Sequence, residues 1–316
     1  MDHDHGYKGL NRRELLGHCA SWAGTAAVYT VAGGVVSSVS LDAALAAGKS
    51  AAKAKPFTFV QISDTHIGFD KPANPNVHAT ALQAVDRIKA MAVKPDLILH
   101  TGDITHLSKD DQFDEAKQIL SGLDIPIFYV PGEHDFLDEG QGKTFLSHYG
   151  KGTQGLGWYS FNHDGVHFVA LNNVAALKPG GMAHLGDDQI AWLKKDLAAL
   201  PSSTPIVVFA HIPLWTVYEA WGWGTDDANQ ALALLRRFGS VTVLNGHIHQ
   251  VLHKVEGNVS FHSARSTAYP QPAPGAAPSP GPLKVPTEQL PSMLGIRSAN
   301  FLRGNAPIAL IDSSFA

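Results

Sequence analysis

Apolar residues fall in short runs along most of the chain, and from Pro56 onward these runs alternate with amphipathic stretches. Runs rich in Val, Ile and Phe predict strands at Phe57–Ile62, Leu97–His100, Ile127–Val130, Val166–Leu171, Ile206–Ala210, Val241–Leu244, Val259–Phe261 and Ile308–Ile311. Helical spacing predicts helices over Ala79–Met91, Asp111–Leu120, Asp187–Leu200 and Ala228–Phe238, spans that hold no Pro and no interior Gly. Asp187 and Asp226 or Asp227 stand where helix N-caps are favoured. Strands alternating with helices imply an α/β domain with largely parallel central strands. Trp158–Phe161 and Val166–Leu171 flank Asn162-His163-Asp164-Gly165 as a hairpin would, which makes the sheet mixed. From Tyr269 to Pro291 the chain is dense in Pro, Ala and Gly and predicts a loop. That loop is either a solvated excursion or a rim over a site.

The first residues follow a different pattern. Asn11-Arg12-Arg13-Glu14-Leu15-Leu16 precedes a mild apolar stretch from about Ala20 to Val36, and Ala44-Leu45-Ala46 offers a small-residue cleavage site. Paired arginines before a weakly hydrophobic segment read as a twin-arginine export signal over residues 1–46, leaving a single domain over 47–316. The alternative is a cytoplasmic N-terminal helix or an uncleaved anchor. The signal implies the twin-arginine translocation machinery as a partner and a periplasmic or extracellular location. That route carries folded proteins, which suits a domain that loads metal before export. Gly, Ser and Thr make the stretch a poor membrane span, so none is expected in the mature form. His18 before Cys19 argues against a lipoprotein anchor, and His3 and His5 would leave with the signal.

Composition narrows the chemistry. The 316 residues carry a formal net charge of −4 and no long basic run, which excludes a nucleic-acid-coating surface. Cys19 is the only cysteine, so neither an intrachain disulfide nor a multi-thiolate zinc site is available. Histidine is abundant, at 17 residues. A metal site would be built from His, Asp, Glu and Asn, donors that suit Mn, Fe or Zn.

Five short motifs stand at or just after predicted strand ends: Asp64-Thr65-His66, Gly102-Asp103, Gly132-Glu133-His134-Asp135, His211 and Gly246-His247-Ile248-His249. Loops leaving the carboxyl ends of strands converge on one crevice in α/β sheets. One residue between Asp64 and His66, and between His247 and His249, places each pair on one side of an extended segment. The glycines permit tight turns and close backbone approach. Each motif alone is weak, but the ordered set resembles the calcineurin-like metallophosphoesterases, whose pattern is Asp-x-His, Gly-Asp, Gly-Asn-His-Asp/Glu, His and Gly-His-x-His. The resemblance spans Phe57 to His249.

That resemblance implies an α/β fold, a β-sandwich of mixed sheets flanked by helices with the active site at the carboxyl ends of strands. It implies two metal ions. Asp64, His66 and His249 would bind the first, His211 and His247 the second, and Asp103 would bridge them. A metal-bridging hydroxide would attack phosphorus in line, and both ions would stabilise the developing charge. His134 would face the phosphate, stabilising charge or protonating the leaving group, and Asp135 would orient His134 by a hydrogen bond.

Glu133 departs from the pattern, standing where the family has a metal-binding Asn. With Glu133 as a ligand, two divalent ions are balanced by Asp64, Asp103, Glu133 and one hydroxide. With Asn one positive charge would remain. A dianionic monoester loses more attraction from that change than a monoanionic diester, which favours diesters. It also favours a harder ion such as Mn or Fe at the second position. Alternatively Glu133 swings away and water takes its place. His106 is read as a loop histidine near the site rather than a ligand. The aromatic segment Trp215, Tyr218, Trp221 and Trp223 either stacks a planar leaving group or packs against the domain. Arg265 is a weak candidate for a phosphate contact. The expected activity is hydrolysis of small phosphate esters, with phosphodiesters favoured and the cyclic-nucleotide phosphodiesterase-like branch the closest in pattern. A phosphomonoesterase is the alternative, and a metal- or partner-binding protein of the same fold is the alternative outside catalysis.

Overall fold

The computed structural model describes residues 27–32, 35–40, 56–138, 141–178, 180–301 and 309–315. The chain divides into two compact units, Met1–Lys53 and Ala54–Ala316. In the first, β1 (Ala27–Ala32) pairs antiparallel with β2 (Val35–Ser40). The arginine pair, Ala44–Ala46, Cys19, His3 and His5 lie outside the described residues.

The second unit holds two mixed sheets. Its strands are β3 (Phe57–Ile62), β4 (Leu97–His100), β5 (Ile127–Tyr129), β6 (Tyr159–His163), β7 (Val166–Ala170), β8 (Ile206–Phe209), β9 (Val241–Asn245), β10 (His253–Glu256), β11 (Val259–Ser263), β12 (Gly295–Phe301) and β13 (Ala309–Ser314). One sheet runs β13-β12-β3-β4-β5 and the other β10-β11-β9-β8-β7-β6. β3, β4 and β5 are parallel, as are β7, β8, β9 and β11. The helices are α1 (Val77–Lys89), α2 (Asp110–Ser121), α3 (Lys143–Tyr149), α4 (Asp187–Ala198), α5 (Ala228–Leu235) and α6 (Leu290–Met293).

Alternation along each central strand explains the layers. Phe57 and Phe59 of β3, with Leu97 and Leu99 of β4, pack between the sheets against Phe168, Val207 and Phe209. The intervening Val60, Ile62 and Ile98 face outward to Val85 and Ile88 of α1 and Phe113 and Ala116 of α2. Ile206 and Val208 of β8 likewise meet Leu193 and Leu197 of α4 and Leu232 and Leu235 of α5. Both faces of these strands are buried, which is why they read as unbroken apolar runs. β3, β4 and β5 of one sheet and β8 and β9 of the other each lead directly into one of the motifs.

The predicted elements are present apart from small boundary shifts, and the hairpin forms as β6 and β7. α3, α6, β10 and β12 were not expected. Asp187 is not an N-cap: Gly186, at φ 85°, takes that place. Asp227 caps α5 in position only, because its carboxylate accepts from the N–H groups of Leu185 and Gly186 instead. Among the described residues no helix is long and apolar enough to cross a membrane.

Candidate metal centre

The loops after β3 and β4 extend the strand pairing beyond the sheet. Asp64 N–H donates to Gly102 O at 3.0 Å and His66 N–H to Asp103 O at 2.9 Å. Asp64, His66, Asp103, His247 and His249 all take left-handed backbone conformations, with φ of 55°, 42°, 51°, 68° and 51°. Such angles are uncommon for residues with a Cβ and gather at functional sites. Close approach is enforced at Gly246 and Gly132. A Cβ on Gly246 would overlap Ser63 Oγ and sit 2.6 Å from Asp64 Oδ2, and one on Gly132 would overlap Asp103 Oδ1.

The structure brings all the expected ligands together. Asp64, His66 and His249 form one group of donor atoms within 4.8 Å of one another, and Glu133, His211 and His247 form another. Asp103 lies between them: its Oδ2 is 3.4 Å from His66 Nε2 and 3.4 Å from His211 Nε2. Glu133 faces the second group, with Oε2 2.9 Å from His211 Nε2 and Oε1 3.0 Å from His247 Nδ1. It does not swing away. His249 Nε2 lies 3.2 Å from Asp64 Oδ1.

Backbone carbonyls set the histidine tautomers. His211 Nδ1–H donates to Thr101 O at 2.7 Å and His249 Nδ1–H to Tyr269 O at 2.6 Å, so both rings aim Nε2 at the carboxylates. His134 Nδ1–H donates to His106 O at 2.8 Å, and His134 N–H donates to Asp103 Oδ1 at 2.9 Å. The orienting role expected of Asp135 thus falls to the carbonyl of His106. The buried Asp135 carboxylate ties loops instead, accepting from the N–H groups of Gly132, Ile104 and Thr105 and from the Thr105 hydroxyl. It sits where three backbone donors converge, and the His134 ring bonds to His106 O instead.

The electrostatics fit a cation. Glu133 Oε2, His211 Nε2 and His247 Nδ1 are buried without a hydrogen-bond partner. With Nδ1–H of His211 committed to Thr101, its Nε2 faces the Glu133 oxygen, and either a proton on Nε2 or a shared cation joins the two. Burial works against a charge on His211, but the Asp103 and Glu133 carboxylates outweigh it and hold its pKa well above the ordinary value. Burial likewise opposes ionisation of Glu133, yet His247 and His211 hold its carboxyl well below the usual range. Burial, with His134 and His249 nearby, keeps His66 neutral and available as a ligand. Carboxylate oxygens and imidazole nitrogens without thiolates suit Mn, Fe or Zn.

The sequence profile of the calcineurin-like phosphoesterases matches residues 57–251. The chain belongs to that family. A 3',5'-cyclic-nucleotide phosphodiesterase of Nostoc sp. is 25% identical over 223 residues, covering 68% of this chain and 79% of the relative. A probable glycerophosphodiester phosphodiesterase of Arcobacter nitrofigilis is 24% identical over 224 residues, covering 66% and 78%. The fold matches a dimetal phosphatase from Danio rerio with a TM-score of 0.59 at 15% identity, covering 82% of this chain and 99% of that one. Calcineurin-like phosphoesterases typically depend on two metal ions, and this member has candidate residues for binding them.

The remaining candidates sort by burial. Trp223 is fully buried and lies edge-on to Trp221, with its ring 6.4 Å from His247. Trp215 packs on Phe261. Both are packing residues, although Trp215, like Tyr218 and Trp221, keeps partial exposure. Arg265 donates to Ser292 O, away from the centre. His106 stacks on His134 at 4.6 Å and makes a third donor group with His66 and His134. The Pro-rich loop divides: Tyr269–Pro272 is a rim, carrying the carbonyls that accept from His249 and Gln250, whereas most of Ala273–Gln289 is exposed. Ser266 and Tyr269 were not anticipated. Ser266 Oγ donates to Asp64 O at 2.8 Å, and the Tyr269 ring stacks on His66 at 4.8 Å. The available signal was β11, which runs parallel to β9 and ends at the same edge of the sheet.

Proposed function

We propose that this calcineurin-like phosphoesterase is an exported, dinuclear metal-dependent hydrolase that favours phosphodiesters. The observation that carries the reading is Asp103 Oδ2, equidistant at 3.4 Å from His66 Nε2 and His211 Nε2 and so placed between two separate donor groups. Asp64, His66 and His249 would hold one ion and Glu133, His211 and His247 the other, with Asp103 shared. When bound, the ions supply Lewis acidity toward a phosphoryl oxygen and offset the negative charge that develops on phosphorus.

The protein's own groups do the rest. The carbonyls of Thr101 and Tyr269 fix the ligand rings, so little reorganisation accompanies the reaction. His134 spends Nδ1–H on His106 O, which leaves Nε2 for the phosphoryl group or the leaving oxygen. Burial opposes its charged form, but Asp103 and Glu133 prevail and raise its pKa, which suits a group that donates a proton as the ester bond breaks. Glu133 lowers the positive charge of the centre, which penalises a dianionic monoester more than a diester. The names of the Nostoc and Arcobacter relatives, both phosphodiesterases, point the same way.

The test is purified protein loaded separately with Mn, Fe and Zn and assayed on bis(p-nitrophenyl) phosphate and p-nitrophenyl phosphate. Turnover abolished by chelation, with the higher kcat/KM on the diester, is expected. A preference for the monoester overturns the diester reading. Two bound ions with no turnover of either ester overturns the enzyme reading in favour of a binding protein.

A further inference from the structure

Tyr269 lies beyond the last motif, at the start of the Pro-rich loop, yet it touches more of the first donor group than any linker residue needs to. Its ring stacks on His66 at 4.8 Å, lies 4.7 Å from His249 and packs on Phe69 at 4.4 Å. Its carbonyl accepts from His249 Nδ1–H. Its N–H and that of Ala268 bond to Ser266 Oγ, which itself donates to Asp64 O. The side chain is 4% exposed, and its hydroxyl lies 3.1 Å from His66 Nε2.

That last contact is the informative one. Nε2 is the nitrogen of His66 that faces Asp103 Oδ2 and His249 Nε2, both at 3.4 Å, so it is the one His66 would give to a metal ion. A nitrogen so engaged has no lone pair left for Tyr269. The phenol O–H is then a buried donor held by the ring packing beside the first donor group, and a buried donor without an acceptor is costly. Resting on the phosphoesterase reading above, we propose that Tyr269 is a further catalytic residue whose O–H donates a hydrogen bond to a non-bridging oxygen of the bound phosphoryl group. No proton is transferred. The bond strengthens as negative charge builds on that oxygen, and the donor is fixed beforehand by stacking, the arrangement in which such donors contribute most. Ser266 and Phe69 act behind it as positioning residues.

The test is Tyr269→Phe, which keeps the stacked ring and removes only the hydroxyl, beside Tyr269→Leu, which removes the ring too. Three quantities are read on metal-loaded protein: metal content, the dissociation constant for inorganic phosphate by calorimetry, and kcat/KM on the better p-nitrophenyl ester. Tyr269→Phe is expected to keep both metals, to bind phosphate about tenfold more weakly and to lose about ten- to a hundred-fold in kcat/KM. Tyr269→Leu is expected to lose metal as well, because His66 and His249 lose their packing. Unchanged phosphate affinity and turnover in Tyr269→Phe overturns the proposal while leaving the enzyme reading intact. Loss of metal in Tyr269→Phe also overturns it, since the hydroxyl would then serve the ligands rather than the substrate. A wild-type protein that holds both metals but neither binds phosphate nor turns over an ester overturns both readings.

Discussion

Under the proposed phosphodiester reading, charge at position 133 sets which ester the centre attracts. The Glu133 carboxylate lies within 3.0 Å of ring nitrogens of both His211 and His247, so replacing it by Asn changes the field without emptying the position. One unit charge a few ångströms from a phosphoryl oxygen is worth about 1 to 4 kcal/mol at effective dielectric constants between those of water and a protein surface. Glu133→Asn is therefore expected to move the ratio of diester to monoester kcat/KM about tenfold toward the monoester, read on the two p-nitrophenyl substrates. An unchanged ratio would show that the carboxylate does not act through its charge. The candidate ligand residues were legible because Asp64 and His66, and His247 and His249, are spaced by one and follow apolar strands. Tyr269 was not, because a lone Tyr in a Pro-rich run carries no periodic signal and its partners stand far off in sequence. The orienting role that the family resemblance implied for Asp135 does not hold here, because its carboxylate is taken up by donors of Gly132, Ile104 and Thr105.

At the level of elements, runs rich in apolar residues declared themselves as strands, and β10 and β12, which carry charged residues, did not. β12 carries Arg297 at its centre, which reads as solvent-facing, yet the guanidinium is buried. It is matched by Asp312 at 2.9 Å, Gln61 Oε1 at 3.1 Å and Ser263 O at 2.7 Å, on β13, β3 and β11. Only the assembled sheets supply those partners. β11 bears a second consequence of burial. His262 stacks on His253 of β10 at 4.5 Å, and desolvation, with Arg297 and His253 adding repulsion, lowers its pKa to about 3. Its folded pKa thus lies below the unfolded value of about 6.5, so the unfolded chain binds the extra proton first. The stability His262 contributes is present above about pH 6.5 and is lost as pH falls toward 3. Discounted for the partial exposure of the ring, the loss from pH 7.5 to 5 is about 1 kcal/mol. Urea midpoints at both pH values should fall less for His262→Leu than for the wild type, and equal falls would exclude the ring as the source.

For the molecule as a whole, sandwich and layers followed from the family pattern, but the strand order did not. Pairing between β11 and β9, or β12 and β3, joins segments with no local signal between them. The candidate ligands come from both sheets, three loops on one and two on the other, so their grouping forms only once the sheets have packed. That requirement matches the proposed export, which would move a finished domain rather than a thread. Replacing Arg12 and Arg13 by Lys is expected to leave the protein in the cytoplasm, followed by fractionation with a reporter fused to the signal. Continued export would sink the twin-arginine reading.

The left-handed backbone at Asp64, His66, Asp103, His247 and His249 sets this protein against its own robustness. Each such residue stores on the order of 1 to 3 kcal/mol, and together they rival the net stability of an ordinary domain, about 5 to 15 kcal/mol. Glycine at any of these positions would release strain and delete a candidate ligand in one step. A laboratory selection for heat resistance, blind to turnover, would drift toward glycine at these places and return sturdier proteins that have stopped working.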